Sequence, residues 1–518
     1  MEQTPRKQLP IGIQTFKEIR NGHYYYVDKS GLIQQLIEQG KHYFLSRPRR
    51  FGKSLLVDTI KELFEGNEAL FAGLSIQPHW DWHTQVPVVR FSFGSGNFNN
   101  PSYLPKNLSA QLDRLDEQFD FQSHYDTCPE RFQALLQHLT QRTGQTVVVL
   151  VDEYDKPILD AIENDETARI NRDFLRGFYG TIKDNDAYVR FSLLTGVSKF
   201  SKVSLFSGLN NLNDITLDRR YSSLCGYTDN DIDTVFAAEL AGLDREEIRE
   251  WYNGYNWLGE GVYNPFDILQ LFDKREFQNY WFETGTPTFL INLLRQNHIP
   301  SPALNQLNSD EALLSNFDVG NMPIEAVMFQ TGYLTIKRRE NIEGNWFYEL
   351  GYPNREVYQS LNNSLLKHLV QNDGLQVKQR LQLRNLLLAN DFAGLKQLFQ
   401  SFFASIPHHW YTNNDIQQYE GFYASVFYSY FAALGLDVTV EDCTNMGRLD
   451  MTLKFNQRVY LFEFKVVEMV TEGKALQQLI DKDYAEKYRY LSQPIYLVGI
   501  EFSKKGRNIV GFDLQEAH

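Results

Sequence analysis

Cysteine is scarce in this 518-residue chain: Cys128, Cys225 and Cys443 are the only three. They are scattered, odd in number and without metal-ligand spacing. That excludes a disulfide framework and a cysteine-built zinc site, and it fits a reducing compartment, the cytoplasm. No apolar run is long enough to span a bilayer, and the N-terminus lacks the apolar stretch of a signal peptide, so no membrane partner is expected. Repeats and low-complexity tracts are also missing. Positive charge is in deficit: 51 Lys and Arg stand against 65 Asp and Glu, a formal net charge of −14. Indiscriminate coating of nucleic acid is therefore excluded. Any such contact needs a local basic patch or metal ions that offset the acidic field.

What is present is ample apolar material. Hydrophobic residues make up 42% of the chain, enough for packed cores rather than disorder. The length suits roughly three or four domains. Residues 1–225 alternate apolar runs with amphipathic stretches, as an α/β domain does. Strands are expected at Tyr43–Ser46, Val88–Phe93, Thr146–Val151 and Val189–Thr195, with a helix over Leu55–Phe64. The third strand carries no charge, as a central strand buried on both faces would. After Gly226 the pattern turns helical, opening with an N-cap in Thr228-Asp229-Asn230-Asp231. A hairpin is expected from Gly332–Ile336 and Trp346–Leu350. Beside helices it could form a winged-helix-like element with Lys337-Arg338-Arg339 as basic wing, or be a solvated hairpin tip. Residues 226–405 thus read as a helical lid and connector, and 406–518 as a second α/β domain.

Arg47-Pro48-Arg49-Arg50-Phe51-Gly52-Lys53-Ser54 lies between the first strand and its helix. A phosphate-binding loop needs backbone N–H groups aimed at phosphate, a lysine on the β/γ oxygens and a hydroxyl on Mg²⁺. Lys53 and Ser54 follow Gly52 at that offset. Arg49, Arg50, Phe51, Gly52, Lys53, Ser54 and Leu55 are therefore candidates to hold ATP, with Ser54 toward the metal. Arg47 stands where the first glycine of the usual pattern would be, a place where a tight turn favours glycine. Val147–Val151 then ends in Asp152 and Glu153. In P-loop ATPases the first such carboxylate holds the Mg²⁺ shell and the second polarises the attacking water. Asp152 and Glu153 fit those roles in that order. The plainer alternative is a buried strand ending in an acidic turn. Thr195 and Ser198 close the next strand, as γ-phosphate sensors or as strand-end caps. Arg219 and Arg220 could reach a phosphate in cis or from a neighbour in a homo-oligomer, or form surface salt bridges. Asp28-Lys29 could line the pocket or cap a helix.

Tyr26-Val27-Asp28-Lys29, the Arg47–Ser54 run, Val151-Asp152-Glu153-Tyr154-Asp155-Lys156-Pro157, Trp251-Tyr252-Asn253-Gly254-Tyr255 and Tyr263-Asn264-Pro265-Phe266 together resemble the bacterial AAA-ATPase-like family. The resemblance covers nearly the whole chain and makes Arg47 a family trait rather than a decayed glycine. It implies an α/β fold throughout: a P-loop NTPase domain with a parallel central sheet, a helical middle region and a C-terminal PD-(D/E)XK nuclease-like domain.

Gly447-Arg448-Leu449-Asp450 and Glu463-Phe464-Lys465 bear on that last domain. Metal-dependent phosphodiester cleavage needs acidic oxygens around Mg²⁺ or Mn²⁺ and benefits from a lysine that stabilises developing charge. Glu463 and Lys465, two apart on one strand, share a face. A hairpin would bring Asp450 alongside them. A cross-strand salt bridge in an ordinary hairpin is the alternative. The PD-(D/E)XK pattern adds a carboxylate on a preceding helix, matched by Glu420, and a polar residue on a following one, matched by Gln477 with Gln478 beside it. Tyr484 and Lys487-Tyr488-Arg489 could contact substrate or pack.

The chain thus reads as an ATP-dependent or ATP-regulated nuclease for DNA or RNA, and a role in defence against foreign nucleic acid fits the pairing. The alternative is a nucleotide-regulated switch or scaffold whose nuclease fold only binds a partner.

Overall fold

Every residue of Val147–Asp152 is buried, as a strand covered on both faces requires. The computed structural model describes residues 6–200, 205, 209, 211–282, 290, 293–294, 301–314, 317–370, 373–405, 420–444 and 446–517. Two units emerge, one of residues 1–284 with 307–354, the other of 285–306 with 355–518. The stretch read as a connector, 226–405, is shared between them.

In the first unit, β1 (His42–Ser46), β2 (Val88–Ser92), β3 (Val147–Asp152), β4 (Val189–Gly196) and β5 (Asn213–Asp214) form one sheet in the order β2-β3-β4-β1-β5. Every pairing in it is parallel. Because β4 lies between β1 and β3, the carboxyl ends of these three strands adjoin: Leu45 faces Thr195, and Val151 faces Leu194. Open α/β sheets bind ligands at this edge. The helix after β1 starts at Lys53, two residues before the expected Leu55, because Gly52 at φ 88° turns the loop directly into it.

The expected hairpin is present as β7 (Thr335–Ile342) and β8 (Asn345–Gly351), and β6 (Leu307–Asp310) joins it in the order β6-β8-β7. Its three cations have local partners. Lys337 donates to the Pro353 carbonyl at 3.3 Å, Arg338 pairs with Glu340 at 3.2 Å, and Arg339 lies 3.4 Å over the Trp346 ring.

The second unit holds β9 (Asp437–Thr444), β10 (Gly447–Phe455), β11 (Arg458–Val467), β12 (Ile495–Ser503) and β13 (Asn508–Ala517), in the order β13-β12-β11-β10-β9. This sheet is mixed: β11 and β12 run parallel, the other neighbours antiparallel. The Glu420–Ala433 helix packs Phe427 on Phe464 and Phe431 on Phe462. On the opposite face Leu479, from the Lys474–Asp481 helix, joins Leu449, Leu461 and Leu497. Alternation along β11 therefore puts Glu463 and Lys465 on the face covered by the Lys474–Asp481 helix. Among the described residues, no helix is long and apolar enough to cross a membrane.

Candidate functional site

The phosphate loop leaves β1 through Ser46, whose N–H donates to Thr216 Oγ1 at 3.1 Å. Arg47 is fully buried. Its guanidinium donates to the carbonyls of Ser46, Thr216 and Tyr221 at 2.8, 2.9 and 3.2 Å and lies 4.2 Å over the Trp257 ring. The left-handed residues of the loop are Arg50, at φ 67°, and Gly52, at φ 88°. The first-glycine position is thus not one that demands glycine.

Lys53 is also buried, and its ammonium donates to the carbonyls of Arg47 and Pro48 at 2.8 and 2.9 Å. Burial pulls its pKa down, against the pull of Asp152. Ser54 occupies the first turn of the following helix and Leu55 comes next. The side chains of Arg50 and Phe51 are engaged elsewhere: Arg50 lies 4.0 Å over the Phe266 ring, and Phe51 meets Tyr255 and Trp257 edge-on. Arg49 is exposed, and its carbonyl accepts from Trp281 Nε1 at 3.1 Å. From Arg49 to Phe51 the loop can therefore offer phosphate its backbone N–H groups.

Asp152 ends β3 beside this loop, and Thr195 Oγ1 donates to its Oδ1 at 2.9 Å. Glu153 follows in the left-handed region at φ 53°, uncommon for a residue with a side chain. Burial, and then the charge of Asp152, push its carboxyl up. Asp155 carried no expectation from the sequence, yet it is buried and holds the next loop, accepting from Ser198 N at 2.6 Å and from Ser198 Oγ at 2.5 Å. Ser198 thus faces Asp155. Arg219 is exposed, and Arg220 is engaged by Asp218 at 2.6 Å and Gln39 at 2.7 Å. Asp28 accepts from Ser30 N and Ser75 N at 2.8 and 2.7 Å, while Lys29 pairs with Asp231 at 2.7 Å. Asp28 thus bonds the first N–H of the Ser30–Gln39 helix, while Lys29, the residue before that helix, makes no side-chain cap bond.

In the second unit, Met451 pairs with Phe462, so the register carried one step on sets Asp450 opposite Glu463. There Asp450 Oδ2 accepts the Phe464 N–H at 2.8 Å, which binds the carboxylate across the strands. Lys465 Nζ stands 3.1 Å from Glu463 Oε1. Glu463 is 1% exposed. Its carboxyl is raised to about 7, first by burial and then by the charge of Asp450. Gln478 donates to Oε1 as well, while Oε2 is buried with no hydrogen-bond partner among the described residues. Gln477, the glutamine first matched to the pattern, is bonded instead to Asp481 at 2.7 Å on the exposed side of the helix. Glu420 opens its helix, but its side chain lies outside the described residues.

Two further residues set this geometry. Glu501, level with Lys465 on β12, accepts from Thr471 Oγ1 at 2.7 Å and from the N–H groups of Glu472 and Lys474 at 2.5 and 2.6 Å. Burial alone would raise its pKa, but these donors hold it below the usual carboxylate range. It pins the start of the helix that carries Gln478. Gly499, level with Glu463, lets that helix approach: a Cβ there would lie 2.7 Å from Leu476 Cα. Tyr484 donates to the Arg448 carbonyl at 3.1 Å, and Lys487 and Tyr488 both bond Asp442, so these side chains pack against β9 and β10. Arg489 pairs with Asp483 at 2.8 Å.

The donor set suits a hard divalent cation. Mg²⁺ keeps several waters and takes one or two protein carboxylates plus substrate phosphate. Asp450 and Glu463 supply two carboxylates, and the orphaned Oε2 is a buried acceptor of the right chemistry. Among the described residues, no three His, Cys, Asp or Glu side chains converge as a complete protein cage would.

Comparison with known proteins bears on both sites. Residues 10–206 match the family model described as Predicted AAA-ATPase, and residues 418–512 match the one described as PD-(D/E)XK nuclease superfamily. An "Uncharacterized protein in vnfD 5'region" of Azotobacter chroococcum mcd 1 is 59% identical over 508 residues, 98% of each chain.

Proposed function

We propose, from the premise that this chain belongs to the AAA-ATPase-like family and carries a PD-(D/E)XK nuclease superfamily domain at its C-terminus, that it is a nuclease for DNA or RNA controlled by ATP. The observation that carries this reading is the meeting of Asp450, Glu463 and Lys465 at a carboxylate whose Oε1 takes Lys465 and Gln478 and whose buried Oε2 has no hydrogen-bond partner among the described residues.

Each residue has a definable task. Asp450 and Glu463 would hold the divalent cation, which when bound supplies Lewis-acid charge and an activated water. Lys465 offers a cation that can stabilise charge growing on the scissile phosphate. Gln478 donates to Oε1 and so leaves the buried Oε2 as the acceptor still open to a cation. At the other site, Lys53 and the loop N–H groups would take the β and γ phosphates, and Ser54 and Asp152 would hold the accompanying Mg²⁺. Thr195 orients Asp152. Glu153, whose carboxyl is already pushed up, is the base that would position a water. Three unpaired cysteines fit work in the cytoplasm. Foreign nucleic acid as the substrate would make the activity defensive.

The test uses purified protein with single- and double-stranded DNA and RNA, in Mg²⁺ or Mn²⁺, with and without ATP. Wild type should cleave at least one form and hydrolyse ATP. Asp450→Ala should lose cleavage and keep ATP hydrolysis, and Lys53→Ala should lose ATP hydrolysis. Failure to cut any form would oppose the nuclease half, and hydrolysis that survives Lys53→Ala would oppose the other.

A further inference from the structure

The ATP-binding reading of the loop leaves one residue unexplained. Arg47 is large, charged and fully buried at a point where phosphate loops usually carry their smallest residue. Its bonds go to three carbonyls, and its Nε has no partner among the described residues. Burial pulls the pKa of Arg47 down against the charge of Asp214, and a buried cation bonded only to carbonyls is costly to keep.

The carbonyls it reaches belong to three separate places, the end of β1, Thr216 and Tyr221. Its own backbone N–H donates to the Gly196 carbonyl of β4 at 3.1 Å. The Arg47 peptide is therefore anchored by its side chain, by its N–H and by the stack on Trp257. Its carbonyl, and that of Pro48 beside it, are the two acceptors that hold the Lys53 ammonium.

We propose that Arg47 is a positioning residue for ATP: its guanidinium fork fixes the two carbonyls on which Lys53 rests, and so sets where the Lys53 ammonium meets the phosphates. Glycine cannot do this, and the backbone at residue 47 is not in the left-handed region that would call for glycine. Lysine cannot do it either, because an ammonium lacks the planar fork that spans three carbonyls. Among the described residues, the hydrogen bonds of Arg47 and Lys53 go to carbonyls, while Asp152, Asp155 and Glu153 act on Lys53 by charge. This inference rests on the loop being an ATP site.

Titration of the full-length chain with a fluorescent N-methylanthraniloyl ATP tests it, on wild type, Arg47→Lys, Arg47→Gly, Trp257→Leu and Lys53→Ala, well below each variant's unfolding temperature. Arg47→Lys and Arg47→Gly should each weaken binding at least about tenfold, as loss of a charged hydrogen-bond anchor does. Trp257→Leu, which removes the stacked ring and keeps the three hydrogen bonds, should weaken it less but in the same direction. Should the glycine variant not fold, Arg47→Lys and Trp257→Leu carry the test. Wild-type affinity in Arg47→Lys and Trp257→Leu, with only a lower unfolding temperature, would overturn the proposal while a weak Lys53→Ala left the ATP reading standing. No binding by wild type would overturn both.

Discussion

Gln478 donates its side-chain amide to the same oxygen of Glu463 that Lys465 approaches, Oε1, and Oε2 remains without a partner among the described residues. Two donors on one oxygen thereby orient the carboxylate. Gln478→Ala should cut cleavage about 10- to 100-fold, the usual range for groups that orient a metal ligand. Gln477→Ala, on the exposed side of the same helix, should leave it unchanged. Initial cleavage rates of the two variants at equal Mn²⁺ check this, and equal effects would contradict it.

Glu463 also links stability to pH. In the unfolded chain its carboxyl ionises near 4.5, whereas in the fold it does so near 7. Between those values the unfolded chain has released a proton that the folded one keeps, so stability of the metal-free protein falls as pH rises from about 4.5 and levels off above about 7. Glu463→Gln removes that decline. In EDTA, the variant should be more stable than wild type at pH 8, with the gap closing toward pH 5, and it should not cleave. Urea unfolding at the two pH values measures the gap. A variant less stable than wild type at pH 8 would contradict the account.

Gly499→Ala should damage the nuclease fold itself. The added methyl would meet the backbone of Leu476, 2.7 Å from its Cα, and a helix backbone cannot yield as a flexible side chain can. Overpacking of this kind costs about 1–3 kcal/mol. Denaturant titration followed by circular dichroism should show a lowered midpoint, and cleavage should fall with it because Gln478 is displaced.

Thr195→Val keeps the shape of the side chain and removes the 2.9 Å bond to Asp152. Asp152 is 3% exposed, so losing a donor costs about 1–3 kcal/mol. ATP turnover should drop about tenfold or more, with a smaller change in KM, since the orientation of Asp152 matters more to the reaction than to binding. Steady-state ATPase kinetics separate the two.

Both candidate sites could be proposed from the sequence where their residues are neighbours in it. Lys53 and Ser54 follow Gly52 directly, and Glu463 and Lys465 share a strand face by simple alternation. What escaped depends on distant partners. The resemblance marks Arg47 as a family trait, but what holds it shows only where Thr216, Tyr221 and Trp257 close around it. Gln477 and Gln478 are adjacent, and only the placing of the helix, which begins at Lys474 after Gly473, decides which one faces Glu463. Glu501 gave one usable signal, a lone acid between the apolar residues Ile500 and Phe502, but its donors at 471–475 are set by the fold. β6, of sequence Leu307-Asn308-Ser309-Asp310, has no apolar alternation to announce a strand.

Calorimetric titration of Mn²⁺ into the full-length protein at pH 8 tests the metal site at the centre of this account most directly. Saturable binding is expected in wild type and should be lost in Asp450→Ala and in Glu463→Gln, while Lys53→Ala binds as wild type does when no nucleotide is present. The same binding isotherm in wild type, Asp450→Ala and Glu463→Gln would contradict it.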